Sequence, residues 1–353
     1  MNKIDLGWND RFQSLFESLH LSKGLPGRVV RVDRGAAQIQ MEEQTILAVL
    51  AGNLDPAGEA GPPAVGDWVI VEDCDGTNLI RAILPRTGAL ARKRPGEADL
   101  GQVVAANVDL VLVVESLERG PNPRRIERAT ALAWDGGATP VIILTKADVC
   151  EDREAAVEKA REGAPFCEIL AVSSVSGEGL EDLARVLSSG TTSVLLGPSG
   201  VGKSTLTNQL LGEERFAVAE VRSGDAKGRH TTTARELVVL PGGSCLIDTP
   251  GIRELGLWLD AGAVNAAFPE IEEAAQGCRF NDCRHEGEPG CAVLAEVEQG
   301  GLDAARLSSF LRLRKEAENL DRRRSSTGNQ EIRAVGRRFG KMVREAKKLK
   351  KDR

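Results

Sequence analysis

Residues Gly197-Pro198-Ser199-Gly200-Val201-Gly202-Lys203-Ser204-Thr205 carry the pattern G-x-x-x-x-G-K-[ST]. Glycines at those places let consecutive backbone N–H groups curl around phosphate oxygens, and a helix that begins there adds its positive end. Lys203 is spaced to reach the β- and γ-phosphates, and the Ser204 hydroxyl to ligate a magnesium ion. The apolar run TSVLLG before the loop reads as a strand and the residues after it as a helix, the context this chemistry needs.

A phosphate cradle chooses neither base nor reaction, and two more motifs bear on that. Asp248-Thr249-Pro250-Gly251 ends the apolar run SCLID, which places Asp248 to hold magnesium, through water, and the Gly251 N–H to sense a γ-phosphate. Thr145-Lys146-Ala147-Asp148 ends the run PVIIL and resembles the guanine-recognition pattern Asn-Lys-x-Asp. A carboxylate at Asp148 accepts from both N1–H and the 2-amino group of guanine, a pairing that adenine does not offer. Thr145 stands where the pattern has Asn, with a shorter side chain and one polar contact fewer. Ser173-Ser174, at the end of the next apolar run, resembles the short Ser-Ala motif whose backbone also touches guanine.

Cys278, Cys283, His285 and Cys291 form a second constellation. Three soft thiolates and one imidazole in so short a span match a closed tetrahedral zinc site with a structural role. Asp282 lies among them but is a harder ligand. The ion is expected to supply cohesion that the segment's few apolar residues cannot. Cys74, Cys150, Cys167 and Cys245 stand singly. An odd cysteine count without a secretory signal argues against a disulfide framework and for a reducing cytoplasm.

These motifs need elements to carry them. Short β-type runs (GRVVRV, AQIQM, TILAVLA, DWVIVE, NLIRAIL) fill residues 25–95, broken by Asp33-Arg34-Gly35, Gly61-Pro62-Pro63 and Asp75-Gly76. Five strands in so few residues predict a small β-barrel, with an OB-fold the obvious candidate. From 96 to 258 strands such as VDLVLVV, PVIILTK and EILAVSS alternate with helical segments such as RRIERATALAW and GLEDLARVL, predicting a doubly wound α/β sheet. Residues 259–320 read as helices around the Cys/His cluster. Trp8, Phe12, Leu15, Phe16 and Leu19 predict a helix, docked on the core, in residues 1–24.

Charge is uneven. Residues 321–353 hold thirteen Lys or Arg against four Asp or Glu, a local +9 in a chain of net charge −6, so the rest carries −15. A basic tail on an acidic body suits a nucleic-acid partner, and a merely solvated charged face is the other reading. With 353 residues, 41% apolar and 28% charged, the chain is long enough for two or three domains, and no apolar run reaches the length of a membrane span.

The motif order is unusual. Common GTPases run phosphate loop, switch I, Asp-x-x-Gly, guanine motif, Ser-Ala; here Asp148 and Ser173 precede the phosphate loop, and Thr231–Thr233 and Asp248 follow it. The same spatial site survives if the cut lies in a surface connection. With the barrel, the C-x4-C-x-H-x5-C cluster, VGDWV near 65, the Ala91-Arg92-Lys93 turn, AANVD near 105 and Gly228-Arg229-His230-Thr231-Thr232-Thr233, the chain over residues 25–315 resembles the bacterial ribosome small subunit-dependent GTPase A family, which is circularly permuted. That resemblance implies an OB-fold, a GTPase domain and a zinc domain, and action on the 30S subunit and its 16S rRNA late in maturation. It implies GTP and GDP as ligands, with a monomer as the expected state.

Ile252 stands where Ras-like enzymes place a water-orienting Gln, so slow intrinsic hydrolysis is expected, with another group positioning the water. His230 beside the switch I threonines is one candidate; a solvent-exposed loop histidine is the other reading. One of Thr231, Thr232 and Thr233 is expected to ligate magnesium through its hydroxyl. Two rival functions remain at this point. One is another phosphate-loop ATPase or kinase, against which Asp148 counts; the other is a non-catalytic RNA-binding nucleotide switch, which Ile252 keeps open.

Overall fold

A computed structural model describes residues 2–19, 23–33, 35–52, 61–93, 101–216, 235–248 and 261–319. Five strands come first: β1 (Leu25–Asp33), β2 (Ala36–Gln40), β3 (Thr45–Leu50), β4 (Trp68–Cys74) and β5 (Thr77–Ile83). They pair in the order β1-β2-β3-β5-β4, and β4 returns to β1, closing a barrel. β3 and β5 run parallel and the other pairs antiparallel. Alternation does the sorting, as in β2, where Ala37 and Ile39 point inward between less buried neighbours. Val29, Ala48, Val69, Val71 and Ile80 complete that small core. The arrangement matches the expected OB-fold.

Strands β6 (Ala89–Lys93) and β7 (Gly101–Ala106) pair antiparallel, so Ala91-Arg92-Lys93 is strand rather than the expected turn, and the boundary expected at 95/96 runs between paired strands. The α/β unit follows, with β8 (Leu110–Ser116), β9 (Thr139–Thr145), β10 (Glu168–Ala171), β11 (Thr192–Leu196), β12 (Glu236–Val239) and β13 (Cys245–Asp248). Their spatial order is β10-β9-β8-β11-β13-β12; all are parallel except β12. Fully apolar runs such as VIIL in β9 are buried along their length, as a sheet covered on both faces requires. Helices α1 (Asp10–Ser18), α2 (Pro123–Asp135), α3 (Arg153–Gly163), α4 (Leu180–Val186) and α5 (Lys203–Leu211) are followed by α6 (Ala261–Ala267), α7 (Pro269–Ala275) and α8 (Ala292–Gln299), and residues 304–319 are helical.

Among the described residues the barrel and the α/β sheet pair at Arg31 of β1 with Glu236 of β12. A buried arginine reinforces the joint. Arg28 is 1% exposed and donates to the Leu6 carbonyl (2.7 Å), the Thr192 hydroxyl (3.1 Å) and the Asn107 carbonyl (3.3 Å). Its guanidinium also lies over the Trp68 ring, 5.2 Å from the centroid. Burial lowers its pKa, countered by the nearby carboxylates of Asp109 and Asp67.

Two stretches singled out in the sequence build this joint. In VGDWV, Asp67 accepts both arms of Arg86 at 2.7 Å and the Ala64 N–H, and Gly66 lies where a Cβ would come within 2.2 Å of the Ala106 carbonyl. In AANVD, Asn107 donates to the Gly66 carbonyl and accepts from the Thr87 N–H. The N-terminal helix docks here: Trp8, just before it, meets Trp68 edge-on at 4.6 Å, and Phe12 is buried against both, whereas Leu19, expected in the same helix, lies past its end and is 38% exposed. Burial of the Phe12 ring contributes about 1.5–3 kcal/mol.

The last helix fastens to α2 through Arg306, which donates to Glu270 (2.5 Å), the Ala267 carbonyl (2.8 Å) and Glu127 (3.4 Å) and stacks over Phe268 at 4.1 Å. Arg128 of α2 grips Glu316 with both nitrogens at 2.6 and 2.7 Å.

Candidate nucleotide and metal sites

Parallel strands deliver their C-terminal ends to one edge of the sheet, where doubly wound folds bind ligands. Here β9 ends at Thr145, β10 at Ala171, β11 at Leu196 and β13 at Asp248. Thr145-Lys146-Ala147-Asp148, Ser173-Ser174, the phosphate loop and Asp248 therefore share that edge, although 103 residues separate Thr145 from Asp248 in the chain. The fold brings together what the permutation scattered.

The loop after β11 has the backbone its glycines permit. Gly197 has φ 158°, and a Cβ there would sit 2.3 Å from the Val114 carbonyl oxygen of the neighbouring strand. Gly202, at φ 97°, caps α5, so Lys203 and Ser204 open that helix and Thr205 follows. The Lys203 ammonium donates to the carbonyls of Gly197 and Pro198, at 2.8 and 2.7 Å, arching over the loop. Ser199, Gly200 and Val201 lie between.

On the base side, Asp148 is exposed, and its Oδ1 accepts from the buried Ser173 hydroxyl at 2.5 Å. Ser173 Oγ in turn accepts from the N–H groups of Val175 and Ser176, a turn that fixes the hydroxyl. The Ala147 N–H donates to the Val172 carbonyl, locking the two strand ends together. Lys146 takes the left-handed conformation at φ 61° and pairs with Glu118, whose pKa that contact lowers.

Thr145 is 2% exposed, and its hydroxyl reaches the carbonyls of Val201 in the phosphate loop and Glu115 at 3.1 Å. The Glu115 carboxylate, 1% exposed, grips Arg125 at the start of α2. Sequence reading missed Glu115. Its signal was an acid closing the apolar strand LVLVVES. A cavity of about 710 Å³ lies against the loop's outer face, bounded by Pro198, Ser199, Arg125 and Arg306. Neither Asp148 nor Ser173 borders it, so it lies apart from the base-reading corner.

His230, Thr231–Thr233, Gly251 and Ile252 fall outside the described residues, as does the tail 321–353.

The second constellation is also assembled. Ligand atoms of Cys278, Cys283, His285 and Cys291 lie within 4.8 Å of one another. Cys278 Sγ stands 3.9 Å from Cys291 Sγ, and His285 Nδ1 lies 3.7 and 3.4 Å from those two sulfurs. Thiolates bound tetrahedrally at the zinc–sulfur distance are about 3.8 Å apart, so the spacing fits that ion. His285 adopts φ 59°.

The electrostatics agree. Burial would raise the Cys278 thiol, but the N–H groups of Val293 and Ala292 at the start of α8, with the neighbouring thiols, hold it below its ordinary value. Burial, then the Arg314 charge, lowers His285, favouring the neutral imidazole that binds metals. Burial and the adjacent thiols push Cys283 up to about 11, a cost that a cation among the sulfurs relieves. Glu288 braces the loop, accepting from the N–H groups of Arg284 (3.0 Å) and Glu286 (2.9 Å).

Comparison with known proteins agrees with this geometry. Residues 83–258 match the family model described as RsgA GTPase. A small ribosomal subunit biogenesis GTPase RsgA from Streptomyces coelicolor is 43% identical over 97% of this chain and 94% of its own length. The one from Methanosarcina acetivorans is 40% identical over 88% and 84%. Among solved structures, YjeQ from Thermotoga maritima aligns with TM-score 0.64 at 25% identity, covering 84% of this chain and 99% of that one. YloQ, a circularly permuted GTPase, aligns at 0.60 and 23% over 85% and 97%, a likeness of fold.

Proposed function

The chain belongs to the RsgA GTPase family and is a GTP hydrolase of ribosome biogenesis, and on that premise we propose that it binds the 30S subunit through 16S rRNA and hydrolyses GTP to GDP and phosphate late in that particle's maturation. The observation that carries this reading is the convergence of the phosphate loop, the Asp148–Ser173 pair and Asp248 on one sheet edge.

In this reading Asp148, held by Ser173, accepts from N1–H and the 2-amino group of guanine. The loop 197–202 wraps the α- and β-phosphates, and Lys203 leaves its two carbonyl partners for the β,γ-oxygens. Ser204, and Asp248 through water, would hold magnesium, which would supply positive charge against the phosphates. Water attacks the γ-phosphorus, the bond to the β,γ-bridging oxygen breaks, and GDP leaves with that electron pair. We assign the positioning of that water to His230, and a switch I magnesium contact to Thr232.

An extension (1–24) and a barrel (25–95) adjoin the GTPase unit (96–258), then the helical unit (259–320), and a basic tail (321–353). The Cys278, Cys283, His285 and Cys291 cluster holds a structural zinc ion. No helix among the described residues is long and apolar enough to cross a membrane.

The test is GTP turnover by the purified chain, with and without 30S subunits. Turnover that rises with subunits and disappears in Lys203→Ala is expected. Hydrolysis that ignores subunits, or survives in Lys203→Ala, overturns the proposal.

A further inference from the structure

We propose that Thr145 is a positioning residue for the phosphate loop and takes no part in reading the base. The inference rests on the nucleotide site proposed above and gives one position of its guanine motif a different duty. A threonine hydroxyl has a single hydrogen. Here that hydrogen faces two backbone carbonyls, Val201 in the phosphate loop and Glu115 at the end of β8. Guanine's N7 and O6 are acceptors too, so a side chain committed in this way has no hydrogen left for them.

Position supports the same assignment. Thr145 is 2% exposed, whereas Asp148, three residues on, is exposed. Thr145 pairs in register with Ser116, and β8 pairs on its other side with β11, the strand that feeds the loop. The hydroxyl thus closes a bridge across three adjacent strand ends. Gly202 lies beside it in ordinary contact: a Cβ built there would be 3.8 Å from the Thr145 side chain. Val201 and Gly202 immediately precede Lys203, so the height of the loop above the sheet, and with it the reach of the lysine, depends on this contact. Asp148 and Ser173 read the base and Thr145 sets the phosphate loop, with Lys146 and Ala147 spacing the two.

Thr145→Val keeps the shape and removes the hydroxyl; Thr145→Ser keeps the hydroxyl and sheds the methyl. GDP, ADP and guanosine affinities of the full-length chain separate the possible roles, with guanosine measured by competition. Loss of one buried hydrogen bond should weaken GDP about tenfold in Thr145→Val. The preference for GDP over ADP and the affinity for guanosine should stay at their wild-type values, and Thr145→Ser should restore GDP binding. Undiminished GDP affinity in Thr145→Val overturns the proposal, as does a reduced preference for GDP over ADP, which makes the residue a base contact. Parallel weakening of guanosine overturns it too, since that marks general damage. If the wild type binds GDP and ADP alike, the guanine assignment fails instead. The loss of either diphosphate in Thr145→Val still decides the role of Thr145.

Discussion

The Ser173 hydroxyl donates to Asp148 Oδ1 at 2.5 Å and so joins the ends of two neighbouring strands. The bond leaves the carboxylate free to turn its other oxygen outward. It also settles which way the Ser173 hydrogen points, because the same oxygen accepts from Val175 and Ser176.

Asp148→Asn should weaken GTP roughly a hundredfold, the scale at which a site built for a hydrogen-bonding pattern rejects the wrong one. The same variant should gain affinity for xanthosine triphosphate, because an amide offers a donor to the 2-oxo group. Titration of both nucleotides checks this, and an unchanged GTP-to-xanthosine triphosphate ratio contradicts the assignment. Ser173→Ala should move GTP binding in the same direction by a smaller factor.

The metal cluster makes a compositional prediction. Protein purified without chelator should contain one zinc per chain by elemental analysis, and Cys283→Ser should contain none. Glu288→Ala should retain zinc but release it faster to a chelator, because the N–H groups of Arg284 and Glu286 lose their acceptor. Zinc-free wild-type protein would refute the site.

Arg306 offers a stability test. Arg306→Met leaves Glu127 buried without its cation, a change that costs about 3–5 kcal/mol. Burial raises Glu127 above its ordinary value of 4.5, opposed by the Ser309 hydroxyl and by Arg306. The folded form therefore binds this proton more tightly than the unfolded chain, and stability falls as pH rises from 4.5 through the folded value. Removing the arginine raises that value further, so urea unfolding should show a smaller deficit at pH 5 than at pH 7. Adding Glu127→Gln at pH 7 should recover much of the loss. A deficit independent of pH and untouched by the second change would show that Arg306 acts through packing alone.

Much of this architecture is legible in residue patterns, because strand ends, glycines and soft ligands leave local signatures. Thr145 is different. Read along the chain it is a shortened asparagine with a contact missing, since its partners Glu115 and Val201 lie 30 residues before it and 56 after. Arg28 and Arg306 escape notice for a related reason. An arginine in sequence reads as surface, and only the assembled joint, with Leu6, Asn107 and Thr192 around Arg28, shows a buried one. The β6–β7 hairpin was hidden by the change in texture between barrel and sheet, since its two strands belong to neither pattern.

The tail is tested by its charge. Deleting 321–353 removes thirteen Lys or Arg. Each phosphate contact in a nucleic-acid complex releases counterions, so the deletion should weaken 30S binding and flatten the fall of log K with log salt. GTP affinity should stay at the wild-type value. Unaltered subunit affinity and salt slope would make the tail a solubilising segment.

Strand order in the α/β sheet has a consequence in time. The three strands β8, β9 and β10 are adjacent in space and also consecutive in the chain, and they carry Asp148 and Ser173 at their ends. β11, β12 and β13, which carry the phosphate loop and Asp248, all leave the translating ribosome afterwards. Chains fold from the N-terminus as they emerge. The half of the site that reads guanine can therefore be in place while the half that grips phosphate is still being made, the reverse of the order in an unpermuted relative. Until β11 arrives, the β8 edge is open to whatever strand comes next.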